Sequence, residues 1–360
     1  MAKLVAVDAG LGAGFVPALE AAWAAGDAVA PIDPRLPPAE RAAVVSALRV
    51  GDEVEPGDAV VVATSGTTGA AKGVVLTHDA VAASARATSA RLGVTGGDRW
   101  LACLPLSHVG GLGVVLRARA TGTPVTVLPA FDADVVDDLA RAGGATLVSL
   151  VATALRRVDP GLFRLILLGG SAPPAELPEN VVTTYGLTET GGGIAYDGRP
   201  LDGAEVRIDD AGHIEVRGPM LLRQYRDGTD PKDGDGWLAT GDVGQWTADG
   251  CLTVVGRADD LIITGGENVW PEVVEAVLRR HPAVSDVVVV GLPDEEWGQR
   301  VSAFVVPEAR AGAPTLDELR AWVKDRLPAF AAPRSLELVD QIPQTATGKR
   351  LRVHLRERDR

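Results

Sequence analysis

Apolar and polar positions along the chain fall into two alternating patterns, short fully apolar runs and longer amphipathic stretches. The run Ala59-Val-Val-Val-Ala63 has the length and content of a buried strand. It leads into a segment rich in Thr, Ser and Gly. Thr77 is then placed to cap a helix reaching about residue 92, with Asp79 favourably set in its first turn. Upstream, residues 37–50 read as a helix opened by prolines. Strand-like runs recur at 100–104, 124–128, 146–151 and 165–168. Such alternation predicts an α/β domain with a largely parallel sheet.

From about Leu201 the pattern shifts. Gly and Asp punctuate short strands at 205–208, 213–216 and 252–255, the signature of a small β-rich subdomain. After Gly256-Arg257-Ala258-Asp259-Asp260 a second unit of α+β character is expected, with helices at 271–280 and 316–326 and strands at 286–290, 302–306 and 336–339. The pattern therefore predicts two domains, residues 1–256 and 257–360, and a solvated basic helix or tail from Lys349 onward. There is no internal repeat and no low-complexity tract.

Composition narrows the function classes. With 46% hydrophobic and 23% charged residues the chain is globular in type. No apolar run approaches the roughly 18 residues of a membrane helix, and Asp8 interrupts the N-terminal apolar stretch before a signal-peptide core forms. A cytoplasmic protein with no membrane partner is expected. Cys103 and Cys251 each sit in apolar surroundings and read as small buried residues, without a disulfide framework or a metal cluster. A net charge of −13 argues against a nucleic-acid partner. Positive charge for a polyanionic ligand must then be local. Of only five lysines, Lys72 and Lys349 lie in distinctive motifs.

The strongest chemical signal is Thr64-Ser65-Gly66-Thr67-Thr68-Gly69-Ala70-Ala71-Lys72-Gly73. Its glycines allow close backbone approach, its hydroxyls and N–H groups suit phosphate oxygens, and Lys72 adds a point charge. The spacing is not that of a Walker A loop. Glu189 is the acidic side chain of Tyr185-Gly186-Leu187-Thr188-Glu189-Thr190, and a single carboxylate suits Mg2+ held mainly by phosphate and water. Tyr185 offers a flat face to a base, or serves as a core aromatic. Asp242 can accept from two ribose hydroxyls, or from its own backbone in a turn. Arg257 can bridge ribose and phosphate oxygens.

These segments resemble, in order, the motifs of the acyl-adenylate-forming superfamily of acyl-CoA synthetases, adenylation domains and luciferases. The resemblance extends from residue 64 to residue 349. It includes Leu104-Pro-Leu-Ser-His108-Val-Gly-Gly111, Thr240-Gly-Asp242, Gly256-Arg-Ala-Asp-Asp-Leu-Ile262 and Pro343-Gln-Thr-Ala-Thr-Gly-Lys349. It implies a large N-terminal domain of stacked sheets with flanking helices and a small β subdomain, followed by a small mobile C-terminal domain hinged near 257–260. It implies ATP, Mg2+ and coenzyme A as ligands and a small carboxylic acid as substrate.

By the same resemblance Lys349, Glu189, Thr188 and His108 are catalytic, with Glu189 at the metal. ATP contacts fall to Thr64, Ser65, Gly66, Thr67, Thr68, Gly69, Lys72, Tyr185, Gly186, Thr188, Asp242 and Arg257. The acid falls to His108, Arg117, Gly169, Gly170 and Ser171. Asp259 marks the hinge, and Gly265 and Gly266 the passage of coenzyme A, although a plain β-turn also explains two glycines there.

Three departures qualify this. Ala71 stands where the family has proline, Ser107 where an aromatic residue is common, and the N-terminal region is abbreviated, so a homodimer would not inherit family contacts there. Among short members the chain looks most like o-succinylbenzoate–CoA ligases, whose substrate carries a second carboxylate that Arg117 could meet. Another aryl or short fatty acid, or a carrier protein as acyl acceptor, remains open at this point.

Overall fold

The computed structural model describes residues 1–65, 71–171, 173–174, 176–309, 312–343 and 352–356. The chain divides into two compact units. One comprises residues 1–207, 215–239 and 248–252, the other residues 208–214, 240–247 and 253–360.

In the first unit, β1 (Leu4–Asp8), β2 (Ala28–Ile32), β3 (Asp58–Ser65) and β4 (Ala71–Thr77) form a sheet in that order. The first three are parallel neighbours, while β3 and β4 pair antiparallel. Every residue of β2 is buried, as a strand covered on both faces requires. Helices α1 (Phe15–Ala24) and α2 (Pro38–Ala47) pack on β2, and α3 (His78–Arg91) packs on β3 and β4. The α3 cap is as the sequence predicts, with Thr77 Oγ1 accepting from Ala80 N at 3.1 Å.

The second sheet contains β5 (Trp100–Ala102), β6 (Val125–Val127), β7 (Leu147–Leu150), β8 (Leu165–Leu168), β9 (Val181–Leu187), β10 (Gly192–Tyr196) and β11 (Arg199–Pro200). Its spatial order is β11-β10-β9-β8-β7-β5-β6. It is parallel from β6 to β9 and antiparallel beyond. α4 (Val109–Thr121), which packs on β5 and β7, α5 (Ala133–Arg141) and α6 (Ala152–Leu155) complete its connections. Leu101, Val136, Val148, Ile166 and Leu168 lie in one of its cores.

A third sheet runs β12 (Glu205–Ile208), β13 (His213–Arg217), β14 (Leu238–Trp246) and β15 (Leu252–Arg257). In the second unit, β16 (Ile262–Thr264), β17 (Glu267–Val269), β18 (Val284–Asp294), β19 (Gly298–Pro307) and β20 (Ser335–Leu338) form a fourth. α7 (Pro271–Leu278) and α8 (Leu316–Lys324) pack over it around Val274, Val287 and Leu319.

Nine strands escaped the sequence reading, β1, β2, β4, β9, β10, β11, β14, β16 and β17, and two of them show why. β4 occupies residues read as the end of a loop, because its pairing with β3 is tertiary. β14 is interrupted by Gly241 and Gly244, which mask strand propensity. The basic tail also needs correction. In α9 (Arg352–Arg356) Leu355 is fully buried against Val288, Val290 and Phe304. Cys103 is buried, and burial pushes its thiol up to about 12, whereas Cys251 is only partly covered. Among the described residues no helix is long and apolar enough to cross a membrane.

One buried carboxylate ties together the entry ends of three parallel strands. Asp98 precedes β5 and receives Arg164 Nε at 2.7 Å and Nη2 at 2.9 Å, Thr146 Oγ1 at 2.8 Å and Thr95 N at 2.8 Å. Burial alone would raise its pKa, but these donors, Arg164 foremost, outweigh it and hold it at about 2 against an ordinary 3.8. A depressed carboxylate contributes stability above its unfolded pKa and loses it as pH falls through the folded one. Asp98→Asn is therefore expected to lower unfolding stability by about 2 kcal/mol at pH 7. The gap to the natural protein should narrow between pH 4 and pH 2 in urea titrations. A gap independent of pH would contradict this account.

Candidate functional site

The sites in the first unit lie where chain leaves the C-terminal ends of parallel strands, the usual crevice of open α/β sheets. Asp33 follows β2, His108 follows β5, Gly169-Gly170-Ser171 follows β8, and Tyr185-Gly186 closes β9.

The two ends of the expected phosphate segment pair as β3 and β4, with Thr64 opposite Lys72 and Ser65 opposite Ala71. Lys72 is therefore a strand residue with a fixed base. Gly66, Thr67, Thr68 and Gly69 lie outside the described residues, as does Lys349. Beyond β4 the segment 222–226 adds its own backbone to the edge. Arg223 N donates to Val75 O at 2.9 Å, Val75 N to Gln224 O at 3.1 Å and Arg226 N to Gly73 O at 2.7 Å. A Cβ on Gly73 would come within 2.8 Å of Arg226 Cβ and of Leu48, so only glycine permits this approach. Lys232 secures the same segment, its Nζ lying 2.9 Å from Leu222 O, 2.8 Å from Arg223 O and 2.7 Å from Asp230 Oδ1.

This pairing delivers a residue that the motif reading missed. The Tyr225 hydroxyl donates to Glu189 Oε1 at 3.0 Å, and Lys72 Nζ stands 5.0 Å from the centre of its ring. Two residues predicted from distant motifs are thereby joined through a third. Burial first, and then the charge of Glu189, raise the Tyr225 pKa, so it stays a donor at neutral pH. One signal was available, since the chain has only three tyrosines. Tyr185 was assigned, and the other two both face site residues.

Glu189 sits in a single 3-10 turn, Thr188–Thr190. Buried Thr190 closes it, its Oγ1 accepting from Leu187 N at 2.9 Å, and Leu222 N donates to Glu189 O at 2.7 Å. Gly186 has no room for a side chain, because a Cβ would overlap the Gly192 carbonyl. Gly169 is similar, with Thr184 Oγ1 only 2.6 Å from where its Cβ would be, and Gly170 has φ +88°. Ser171 is exposed.

His108 is the N-cap residue of α4. Burial lowers its pKa below 6.5, only partly offset by the neighbouring Asp33 charge, so the ring is neutral at pH 7. Asp33 in turn is clipped by Arg35, Nε at 2.9 Å and Nη2 at 2.7 Å, which holds its carboxyl below the ordinary range. Ser107 is buried and its hydroxyl has no partner among the described residues.

Arg117 is not a helix C-terminal surface arginine. It is 8% exposed in the interior of α4, its guanidinium 4.6 Å from the centre of the Trp100 ring and hydrogen-bonded to Tyr196. A Cβ on Gly113 would lie 3.8 Å from both Arg117 Nη2 and Gly191 O, which brings the cation beside the Glu189 turn. No carboxylate pairs with it among the described residues. Burial lowers its pKa from the usual 12.5, the expected strain on a desolvated cation facing only a phenol.

In the second unit Asp242 and Arg257 do meet, with Nη1 3.1 Å from Oδ1. Gly241, at φ +74°, leaves space for the guanidinium, since a Cβ there would be 2.9 Å from Arg257 Nη2. Asp242 is buried on β14, not in a free turn. Asp259 lies in the turn Ala258–Asp260, whose Asp260 receives Arg356 Nη2 at 2.9 Å. Gly265 and Gly266, with φ +60° and +83°, form the two-residue connection between β16 and β17. Trp297 covers Gly265, whose N–H donates to Trp297 O at 2.9 Å. The hairpin alone accounts for both glycines.

Comparisons with known proteins identify the family of the chain. Residues 47–226 match the family model of AMP-binding enzymes, and residues 273–349 match that of the AMP-binding enzyme C-terminal domain. A probable 2-succinylbenzoate–CoA ligase of Mycobacterium tuberculosis is 40% identical, covering 87% of this chain and 87% of its own. A 2-succinylbenzoate–CoA ligase of Bacillus cereus is 35% identical over 82% of this chain and 69% of its own. The o-succinylbenzoate CoA synthetase (MenE) of Bacillus subtilis, in complex with the acyl-adenylate OSB-AMP, has a TM-score of 0.86 at 29% identity, covering 98% of this chain and 87% of that one. The same enzyme with ATP and magnesium gives 0.84 at 29% identity, covering 98% and 88%.

The turn that carries Glu189 depends on the backbone contact at Gly186. Gly186→Ala is expected to cost about 2 kcal/mol in urea unfolding and to weaken ATP-analogue binding. Gly96→Ala, where nothing lies within 4 Å of the added carbon, should change neither. Equal behaviour of the two variants would refute the packing argument.

Proposed function

Because the chain belongs to the AMP-binding enzyme family, we propose that it is an ATP-dependent acid–CoA ligase whose acid is 2-succinylbenzoate, acting in menaquinone biosynthesis. In the first half-reaction a carboxylate oxygen of the acid attacks the α-phosphorus of ATP and pyrophosphate leaves. In the second the thiol sulfur of coenzyme A attacks the acyl carbon, its proton passes to solvent, and AMP leaves. The observation that carries this reading is the linked set Lys72, Tyr225 and Glu189, which gathers a cation and an anion on one face.

The chemistry of the residues fits magnesium. Glu189 offers hard carboxylate oxygens, and no group of three or more His, Cys, Asp or Glu competes for a metal among the described residues. Mg2+ takes one or two carboxylates together with phosphate oxygens and water. When bound, it neutralises phosphate charge. Lys72 places a cation toward the phosphates, and Tyr185 with Gly186 presents a flat surface to the base. Asp242 and Arg257 take the ribose hydroxyls. Lys349 approaches the α-phosphate and the attacking carboxylate, and residues 257–260 form the hinge at the start of a mobile C-terminal domain, as the resemblance implies. Free coenzyme A passes Gly265 and Gly266.

The acid lies against His108, Gly169, Gly170 and Ser171. Neutral His108 lines this pocket without adding charge, and Arg117 meets the second carboxylate. A carboxylate beside Arg117 would relieve the desolvation that the structure imposes on it. A relative at 40% identity that is named a probable 2-succinylbenzoate–CoA ligase supports the same choice.

The test is AMP release measured against a panel of acids, with and without coenzyme A. Release that requires coenzyme A and prefers 2-succinylbenzoate is expected. Sustained AMP release without coenzyme A would point instead to a module serving another acceptor. Arg117→Met, which keeps the volume, should raise KM for 2-succinylbenzoate about tenfold or more, as loss of an ion-paired hydrogen bond would. It should leave ATP–pyrophosphate exchange with an uncharged aryl acid intact. An unchanged KM would remove Arg117 from the site.

A further inference from the structure

We propose that Tyr225 is a positioning residue that acts on two ligand-binding side chains at once, its hydroxyl fixing the Glu189 carboxylate and its ring seating the Lys72 ammonium. The inference rests on the adenylation reading above and extends it to a residue outside the recognised motifs.

Three observations carry it. The first is the double contact, 3.0 Å from the Tyr225 hydroxyl to Glu189 Oε1 and 5.0 Å from Lys72 Nζ to the ring centre. The second is that the scaffold leaves Tyr225 little freedom. Its N–H donates to Thr229 O at 2.8 Å, its carbonyl accepts from Gly228 N at 2.9 Å, and it bridges to Val74 on the strand that bears Lys72. Its neighbour Arg226 is anchored in turn, with Nε 3.2 Å from Leu48 O and Nη2 2.8 Å from Glu53 O. The third is the state of the partners. Glu189 is part-exposed on a one-turn helix and Lys72 is exposed, so neither is fixed by its own surroundings. A carboxylate on a short turn has several rotamers. A single charged hydrogen bond from the phenol selects one of them.

The two contacts are separable by mutation. Tyr225→Phe keeps the ring and removes the hydrogen bond, whereas Tyr225→Leu removes both. Each variant is compared with the full-length natural protein by calorimetry using α,β-methylene-ATP, which cannot transfer its adenylyl group. With the analogue saturating, Mg2+ is titrated. Tyr225→Phe should need about tenfold more Mg2+ for half-saturation, the size expected for one hydrogen bond to a charged group. In EDTA, Tyr225→Phe should bind the analogue as the natural protein does, and Tyr225→Leu about threefold more weakly, as the loss of one cation–π contact implies.

ATP–pyrophosphate exchange by Tyr225→Phe should be slow at low Mg2+ and recover at high Mg2+. A Mg2+ midpoint in Tyr225→Phe equal to that of the natural protein would overturn the proposal, since a purely packing role predicts it. Failure of the natural protein itself to bind the analogue or to exchange pyrophosphate would instead overturn the adenylation reading, which keeps the two failures distinct.

Discussion

The organisation of the first unit depends on one close approach, the laying of residues 222–226 along β4 at Gly73. Any side chain at that position would push Arg226 away and break the backbone bonds from Arg226 N to Gly73 O and from Arg223 N to Val75 O. Without them Tyr225 loses its place, and Leu222 its bond to the Glu189 carbonyl. Residues far apart in sequence thus share one strand edge. Such an edge transmits position well, because its groups are fixed by paired hydrogen bonds and not by flexible side chains.

The buried charges divide into two kinds. Asp98 is satisfied entirely by the protein and performs a structural task, fastening strand ends. In the second unit Arg352 is similarly surrounded, by Glu275 at 2.7 Å, Glu272 at 3.0 Å and Asp260 at 3.5 Å. That cluster secures α9, which reads as a solvated tail in the sequence. Arg117 differs from both. It is desolvated yet faces an indole and a phenol, and no anion among the described residues. Protein interiors seldom hold such a group without a use, because the cost of stripping water from a cation is recovered only by an opposite charge.

The periodicity of the chain made most of the architecture legible. Apolar runs located β3, β5, β7 and β8, and the Thr77 cap located α3, because those signals are local. Nine strands were hidden, among them β4, because its strand character comes from its partner, and β14, because glycines interrupt it. Among the candidate residues, Lys72, Glu189 and Asp242 were each proposed through their neighbours in sequence. Tyr225 was not, since its partner Glu189 is 36 positions away and no local pattern marks a phenol aimed across a fold. The burial of Arg117 was equally invisible. A helix-spacing argument places it on α4 but does not say which face Trp100 and Tyr196 enclose.

Lys232 bears on a hazard built into this chemistry. An acyl adenylate is a mixed anhydride, and free amines capture acyl groups from it. The chain holds few lysines, and the amine of Lys232 has each of its three protons directed at an oxygen, those of Leu222, Arg223 and Asp230. An ammonium held in this way has no lone pair to offer an electrophile. The contact that braces the Tyr225 segment therefore also keeps this amine engaged with three oxygens of the protein.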